Sequence, residues 1–130
     1  MQESSTVLLL PAAIGAPLQG GIYTGPIIEH GQLVHLITSS EYLDDQEWED
    51  AKKAAADYRG GDFEDWFLPE QAHLMVAWAN NKDAFKPDYH WTSTPYGSNC
   101  AWAVYFEDGD VGICLRYNEF RVRPFRRLSL

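Results

Sequence analysis

The feature that most constrains this chain is a pair of alternating apolar runs on either side of Asp108-Gly109. An Asp-Gly pair in that setting is a strong signal for a two-residue hairpin turn, so Glu107 is predicted to face Asp110. Pairing outward from there places one set on a single face, predicted to be core: Cys100, Trp102, Val104, Phe106, Val111, Ile113, Leu115 and Tyr117. The other face would carry Ala101, Ala103, Tyr105, Cys114 and Arg116. The two cysteines fall on opposite faces and are predicted to stay unpaired.

A second hairpin is predicted nearer the beginning of the chain. Residues 22–28 and 32–38 are apolar-rich runs, and Glu29-His30-Gly31 between them has the composition of a turn. Pro26 has no N–H to donate to a neighbouring strand, so the first run is expected to lie at a sheet edge. After a polar loop at 80–89, strand-like runs resume, and the second half of the chain is predicted to be mostly sheet.

Two helices are predicted between these sheet-forming regions. Asp44 or Asp45 can cap the first helix, and Gly60-Gly61 would end it. Its apolar residues recur at helical spacing, namely Trp48, Ala51, Ala55 and Tyr58. The second helix is expected to begin at Pro69 and to run through 70–80 with apolar side chains on nearly every face, which predicts a buried helix.

Length and hydropathy indicate one folded domain. A chain of 130 residues lies in the usual single-domain range and can bury a core. The apolar run at 7–18 is broken by two prolines, is too short to span a bilayer, and follows Glu3 where a signal peptide would carry a basic residue. We therefore predict one domain over 1–130 with residues 1–19 as an N-terminal arm, a cytoplasmic location and no membrane partner.

The closing segment contrasts with the rest of the chain, because it sets four arginines among apolar residues in a protein of net charge −9. Its sequence is FRVRPFRR, in which Phe120, Val122 and Pro124 would share one strand face and Arg121 and Arg123 the other. Guanidinium groups with stems packed on aromatic rings can donate to carboxylates and carbonyls, so both arginines are predicted to be structural. A basic patch for nucleic acid is the alternative, but the remaining charge would repel phosphate, and no direct nucleic-acid binding is expected.

Acidic residues are concentrated between positions 41 and 65, where ten acids and three bases leave a local net charge of −7. One interpretation is a solvated helix face that keeps the protein in solution. The other is a docking surface for a basic protein, most simply a nucleic-acid-binding protein, because clustered charge steers association. The predicted partner-binding residues are Glu47, Glu49, Asp50, Asp57, Asp62, Glu64 and Asp65.

Residues that could support catalysis or hold a metal do not form a recognisable pattern. The four histidines are spread over different predicted elements without an HxxxH or HExxH spacing. Cys100 could pair with His90 as a thiol and base, but its predicted place in the core would make it inert. The sequence also lacks a glycine-rich phosphate loop and a GxSxG elbow. We therefore predict no catalytic residues, no metal and no cofactor.

Several motifs follow one another in an order that resembles a known family. They are GGIYTG (20–25), LVHLI (33–37), a Trp-containing acidic helix, DWFLPEQAHL (65–74), HWTSTPY (90–96), AWAVYFEDG (101–109) and FRVRPFRR (120–127). This order is similar to that of the domain family named after the C-terminal domain of the Legionella collagen-like adhesin, which is related to formylglycine-generating-enzyme-like domains. Residues within these motifs are expected to be structural: Trp48, Trp66, Pro69, Trp91 and Trp102.

The resemblance implies a C-type lectin-like α+β fold, with two helices flanking a twisted antiparallel sheet and the terminal strands close together. It implies no reaction, since fold alone does not transfer function. This chain has Phe67 where relatives usually have an arginine before Leu-Pro. It also lacks the Glu-Pro-Asn and Trp-Asn-Asp signatures of calcium-dependent lectins, which argues against calcium-dependent sugar binding.

Three classes of function follow from these observations. The favoured one is a non-catalytic acidic protein that binds a basic partner; its small, stand-alone, acidic character suggests a phage-encoded inhibitor that imitates nucleic acid, as in an anti-CRISPR role. The alternative is a receptor-binding or adhesin module of a phage virion or cell surface. Its ligand surface would be the loops and hairpin, with Tyr96, Asn99, Tyr105, Tyr117 and Asn118. The third class is an enzyme, which no group of residues supports.

Overall fold

The computed structural model of the protein describes residues 13–128, which form two helices and two β-sheets. The strands are β1 (Pro17–Leu18), β2 (Gly21–Glu29), β3 (Gln32–Ser39), β4 (Leu43–Gln46), β5 (Tyr89–Tyr96), β6 (Cys100–Tyr105), β7 (Asp110–Leu115), β8 (Phe120–Val122) and β9 (Phe125–Leu128). The helices are α1 (Trp48–Asp57) and α2 (Gln71–Asn81), and 3₁₀ turns lie at Gly60–Asp62 and Lys82–Ala84. The predicted α+β class is confirmed.

The strands divide into a four-stranded sheet and a five-stranded sheet. The first is antiparallel in the order β1-β2-β3-β9, and the second has the order β4-β8-β5-β6-β7 with β5 and β8 parallel. The end of the predicted arm contributes β1, whereas residues 1–12 of that arm lie outside the described residues. No helix within 13–128 is long and apolar enough to cross a membrane.

The β2–β3 hairpin has the predicted turn. Glu29 pairs with Gln32, and the two residues between them have positive φ angles, 51° at His30 and 77° at Gly31. This backbone matches the twist of the flanking strands, and glycine adopts it without steric cost. In the sheet order β2 lies between β1 and β3, so the prediction that this run forms a sheet edge is only half right. β1 covers Gly21 and Ile22, and Pro26 lies beyond it, on a part of β2 with no second neighbouring strand among the described residues.

The predicted register of the β6–β7 hairpin is wrong by two residues. Tyr105, not Glu107, is the last residue of β6 to pair, and it faces Asp110 across a four-residue turn. Gly109 adopts a φ of 82° in this turn, and a Cβ there would meet the Trp78 ring at 2.8 Å. The turn is therefore shaped by packing against α2 as well as by the Asp-Gly pair. A shift of two residues keeps every side chain on its predicted face.

The predicted core face of this hairpin is only half right. Val104 and Phe106 are fully buried against α2, but Ile113 and Leu115 on the same face are 44% and 42% exposed, and Tyr117 beyond the strand is 67% exposed. The face predicted to be outward is buried instead, since Ala101 and Ala103 lie in one core cluster with Trp48, Ala51 and Ala55 of α1. Each face is thus covered by a different helix, over a different half of the hairpin.

The first helix is confirmed, but its predicted caps are wrong. Asp44 and Asp45 belong to β4, and Glu47 is the N-cap residue, with no side-chain capping bond. The predicted buried stripe is present, with Trp48, Ala51 and Ala55 in the core. The helix ends at Asp57, before Gly60-Gly61, because the chain turns extended at the next residue, Tyr58.

The second helix begins two residues later than predicted. Glu70 is its N-cap and forms a reciprocal capping box with His73, whose ring accepts a hydrogen bond from the Glu70 N–H. Three residues of α2 are fully buried, namely His73, Leu74 and Ala77. The others are partly or fully exposed, so the prediction of a helix buried on every face is wrong.

The closing arginine segment is not one strand. It divides at Arg123-Pro124 into β8, which joins the five-stranded sheet, and β9, which pairs with β3 in the other sheet. The predicted alternation of Phe120, Val122 and Pro124 on one face therefore ends at the proline. The segment instead ties the two sheets together, since Ser39 at the end of β3 donates its N–H to the Pro124 carbonyl.

Cys100 and Cys114 are free and lie on opposite faces of the hairpin, as predicted. Thiol titration of the denatured, unreduced protein is therefore expected to detect both thiols in every chain. Mass spectrometry after alkylation without reductant provides the control for partial oxidation. A monomeric chain in which neither thiol is free would contradict the placement of Cys100 and Cys114 on opposite faces of the hairpin.

Candidate functional site

A groove of about 450 Å³ lies between the start of α1 and the open end of the β6–β7 hairpin. It is lined by Glu47, Glu49, Asp50, Ser98, Asn99, Leu115, Arg116 and Tyr117. The first three belong to the predicted partner-binding set, and Asn99 and Tyr117 belong to the alternative ligand-binding set. The fold therefore brings together residues that the sequence assigned to two competing sites.

Arg116 joins the two walls of this groove. Its guanidinium carbon lies 4.1 Å from the centre of the Trp48 ring, and it donates to the carbonyls of Cys100 and Gly97 at 3.0 and 2.9 Å. It also contacts Glu49 at 3.2 Å, while the Trp48 N–H donates to the Arg116 carbonyl at 3.0 Å. These contacts attach the first turn of α1 to the end of the hairpin, so the groove has a well-supported shape.

The groove carries an excess of negative charge. Glu49 is neutralised by Lys52 and Arg116. Within the described part of the chain, Glu47 and Asp50 have no ion-pair partner, and both are exposed. They lie at the beginning of α1, where the positive end of the helix dipole favours carboxylates.

The other predicted partner-binding acids lie away from the groove. Asp57 is at the opposite end of α1, about 15 Å along the helix axis, and pairs with Lys53. Asp62 lies in the 3₁₀ turn, Glu64 follows it, and Asp65 pairs with Arg126 of β9. Three arginines from outside the 41–65 segment contact Asp45, Glu49 and Asp65. Counted together with these arginines, the segment carries a net charge of −4 instead of −7. The acids do not form one continuous surface.

The four arginines of the closing segment each have partners within the fold. Arg121 contacts Asp88 at 2.7 Å and Asp45 at 3.2 Å, and the hydrogen bond that it donates to Asp88 raises the pKa of this arginine. Arg126 contacts Asp65, and Arg127 contacts Glu29 and Glu70. The hydrogen bond from Arg127 lowers the pKa of Glu29 to about 2. These are the contacts expected of arginines that stabilise a fold.

Arg123 is, with Arg126, one of the two buried arginines of the segment. Its guanidinium is buried between the rings of Tyr42 and Phe85, at 4.7 and 4.6 Å from their centres. It donates to the carbonyls of Ser39 at 3.1 Å and Ala84 at 2.6 Å. Burial lowers the pKa of Arg123, because the charged form loses water contacts.

The residues of the alternative ligand-binding set do not share one surface. Tyr96 is exposed beside Trp102 on the outer face of the hairpin, with the ring centres 5.6 Å apart. Tyr105 is on the opposite face, where it stacks on Tyr89 and donates its hydroxyl to Glu107. Asn118 lies in the turn after β7, where its side chain donates to the Leu115 carbonyl. Tyr117 and Asn99 alone reach the groove.

A polar cluster that the sequence did not reveal lies where β2 meets α2. The ligand atoms of Glu29, Glu70 and His73 lie within 4.8 Å of one another, a spacing that could hold a metal ion. The two nitrogens of His73 are already bonded to the Glu70 N–H and to Glu29, and Arg127 contacts both carboxylates. The cluster is therefore satisfied by its own side chains. The Glu-x-x-His spacing at the start of α2 is the one sequence signal that could have indicated it.

His90 lies far from the Cys100 thiol, which the sequence analysis considered as its partner in a thiol and base pair. It lies opposite Val104 in the sheet, four residues and about 13 Å along β6 from Cys100. His90 is instead buried, its ring 4.5 Å from that of Phe106, and bonded to Tyr42 and to the Asp88 carbonyl. This arrangement is that of a core histidine.

Comparison with known proteins assigns no function to this groove. No protein-family model matches the chain, and a search of curated proteins found no significant relative. The groove between α1 and the hairpin is thus the strongest indication of a binding site, because there two independently predicted sets of residues meet.

Proposed function

We propose that this protein is a non-catalytic binding protein whose groove at the start of α1 engages a basic segment of a protein partner. One observation carries the proposal: the unpaired carboxylates of Glu47 and Asp50 face the same groove as Tyr117 and Leu115. Carboxylates steer an approaching basic surface, and an exposed tyrosine beside a leucine supplies the apolar contact that holds it. Charge and apolar surface would thus act at one place.

The nature of the partner follows from the charge of the whole chain. A net charge of −9 favours association with basic proteins, and nucleic-acid-binding proteins characteristically carry extended basic surfaces. We propose a partner of this class, and in the finer form of the proposal the protein competes with nucleic acid for that surface, as a phage-encoded inhibitor would. The net charge of the chain and the unpaired acids of the groove, within the described residues, support this proposal.

The finer fold assignment is also a proposal. We propose that the two helices and two sheets are arranged as in C-type lectin-like domains, and that the chain is related to the adhesin-domain family that its motifs resemble. The order of its motifs along the chain supports this relation. In relatives of that fold the ligand surface is built from loops and a hairpin, which is where the groove lies here.

A receptor-binding or adhesin module is the second candidate function. It is favoured by the exposure of Tyr96 and Tyr117, because aromatic side chains exposed near loops are common in ligand-binding surfaces. The two functions differ in their ligands. Binding to intact cells or glycans with no dependence on salt would favour this second candidate.

Reversing the two unpaired charges of the groove is expected to slow association with the basic partner. We expect the Glu47→Lys/Asp50→Lys variant to lose most of the salt dependence of the association rate, because screening and mutation remove the same long-range attraction. Glu49 is left unchanged because it contacts Arg116. Surface plasmon resonance against a partner captured from host lysate measures the association rates of the wild type and of the variant at low and high salt.

The matched control is the Asp62→Lys/Glu64→Lys variant, which changes the net charge by the same amount at a site away from the groove. Both variants should remain folded by circular dichroism, since surface substitutions typically change stability by about 0.5 kcal/mol each. A groove variant that associates as fast as the control would contradict the proposed function.

A further inference from the structure

The outer edge of the five-stranded sheet is formed by β7, and within residues 13–128 no strand pairs with its free side. The Arg116 N–H donates to the Asn99 carbonyl at 3.0 Å, and the pairing continues with Cys114 opposite Ala101. In an antiparallel ladder the backbone groups of alternate residues point to alternate sides. The N–H and C=O groups of Val111, Ile113 and Leu115 therefore point away from β6. The Leu115 carbonyl accepts from Asn118, so the edge offers an added strand three donors and the carbonyls of Val111 and Ile113.

This edge lacks the features that normally prevent strand addition. Residues 111–115 read VGICL, with no charged residue and no proline, and the pairing with β6 continues without a bulge. Natural edge strands are usually interrupted by a lysine, a proline or a bulge, because a regular free edge accepts another strand. The regular edge of β7 is therefore a ready template for strand pairing.

The two faces beside this edge differ in chemistry. On the outer face Ile113 and Leu115 are exposed next to Trp102, which forms an apolar strip. On the opposite face Gly112 and Cys114 separate Asp110, which is exposed at one end of the strand, from Arg116 at the other end, where the acidic groove with Asp50 begins. Because side chains of a strand alternate between faces, an added strand would meet the apolar strip on one face, and on the other face it would meet acids near both ends of β7.

We propose that β7 accepts an extended segment of the basic partner as an added strand, with apolar residues and lysine or arginine in alternation. The inference rests on the proposed function and names the part of the partner that docks. Backbone hydrogen bonds would supply affinity, and the alternation would supply specificity. A second copy of this chain fits less well, because it would bring together two chains of net charge −9 and would extend the exposed apolar strip of Ile113 and Leu115.

A direct test uses synthetic peptides and amide hydrogen exchange. The probe is an acetylated, amidated peptide of alternating lysine and valine, and the control peptide has the same composition with its lysines and its valines in two separate blocks. We expect the alternating peptide to bind at least tenfold more tightly. It should slow exchange at the amides of Val111, Ile113 and Leu115, whereas those of Gly112 and Cys114, which point to β6, are protected before the peptide is added. Equal binding of the two peptides, or no new protection at the three outward amides, would overturn the inference.

A backbone variant tests the same edge with the natural partner. Ile113→Pro removes an N–H that points away from β6, so the internal ladder is kept while one bond to an added strand is lost. We expect it to weaken partner binding at least tenfold, and Ile113→Ala, which keeps the N–H, to weaken it less. Should the proline variant unfold, Ile113→Lys places a repelling charge on the same edge and is expected to have a similar effect.

These variants separate the inference from the proposed function. If Ile113→Pro and Ile113→Lys bind the partner normally while the groove variant at Glu47 and Asp50 does not, strand addition is wrong and the proposed function stands. If none of the variants affects binding, both are wrong. Analytical ultracentrifugation provides the remaining outcome: a dimer that dissociates in Ile113→Pro would identify a second copy as the occupant and would also overturn the inference.

Discussion

Replacing Arg123 by alanine is expected to destabilise the fold by about 3 kcal/mol and to lower the melting temperature by roughly 10 °C. The guanidinium donates to the carbonyls of Ser39 and Ala84 and is buried between the rings of Tyr42 and Phe85. Removing it takes this donor from the buried Ser39 carbonyl and the partly buried Ala84 carbonyl, and leaves a cavity between two rings. Part of this loss of stability is offset, because the alanine variant no longer carries the unfavourable free energy of removing a charged guanidinium from water.

Arg121→Ala provides the matched comparison within the same segment. Its ion pairs with Asp45 and Asp88 are partly exposed to solvent, so their loss is expected to cost only about 1 kcal/mol. Arg123→Met separates the contributions further, because it keeps an unbranched side chain between the rings but removes every donor. We expect the order of stability to be wild type, Arg121→Ala, Arg123→Met and Arg123→Ala, measured by urea denaturation at neutral pH. Equal melting of wild type and Arg123→Ala would show that the arginine does not support the fold.

Acidification from pH 6.5 to pH 4 is expected to remove about 3 kcal/mol of stability through His90 alone. Burial lowers the pKa of this histidine from 6.5 to about 4, since the charged form cannot be solvated among Phe85 and Phe106. The nearby guanidinium groups of Arg123 and Arg121 contribute to this lowering of the pKa, while the Asp88 carbonyl and carboxylate oppose it.

The sign follows from proton uptake. Between pH 6.5 and pH 4 the histidine of the unfolded chain is protonated and that of the folded chain is not, so falling pH favours unfolding. Above pH 6.5 both states are neutral and the contribution of His90 to folding is fully present. The lowered pKa of Glu29, about 2, removes stability mainly between pH 4.5 and pH 2, so the two effects overlap only between about pH 4 and pH 4.5.

The hydrogen bonds of His90 explain why protonation is unfavourable. Its Nδ1–H donates to the Asp88 carbonyl at 2.9 Å, and Nε2 accepts from the Tyr42 hydroxyl at 2.6 Å. The Tyr42 oxygen in turn accepts from the Lys86 N–H at 2.9 Å. A proton on Nε2 would therefore face the Tyr42 hydroxyl hydrogen and disrupt the chain of bonds.

Urea denaturation at several pH values tests this prediction, with His90→Gln as the variant that can still donate and accept but cannot titrate in this range. The variant is expected to be less stable than wild type at pH 7, yet to show a much flatter dependence between pH 6.5 and pH 4.5. The titration of the His90 ring protons by NMR gives a second measurement on the unmodified protein. A midpoint near pH 6.5 would contradict the burial of a neutral ring.

Several features of the fold followed from the sequence because they depend on neighbouring residues alone. The positive φ angles at His30 and Gly31 follow from turn chemistry, and the buried stripe of α1 follows from apolar spacing. The separation of the two cysteines follows from strand periodicity, which survives a register shift of two residues. Each of these features depends only on local backbone geometry, which is the same in any tertiary structure.

Other features were decided by contacts between distant parts of the chain. Alternation in the hairpin defines two faces but not which is covered, and here α1 selects the alanine face while α2 covers Val104 and Phe106 on the other. Likewise, the division of the closing segment at Pro124 between two sheets depends on pairing with β3 and β4, far earlier in the chain.

The binding groove itself is the clearest product of the tertiary structure. The sequence identified its acids and its aromatic residues separately, because Asp50 and Tyr117 lie far apart along the chain. Their meeting depends on Arg116, which local reasoning placed on a solvent face but which packs on Trp48 and attaches α1 to the hairpin. Periodicity reports which side chains share a face of one element, whereas the positions of the elements are set by long-range packing, which no local pattern contains.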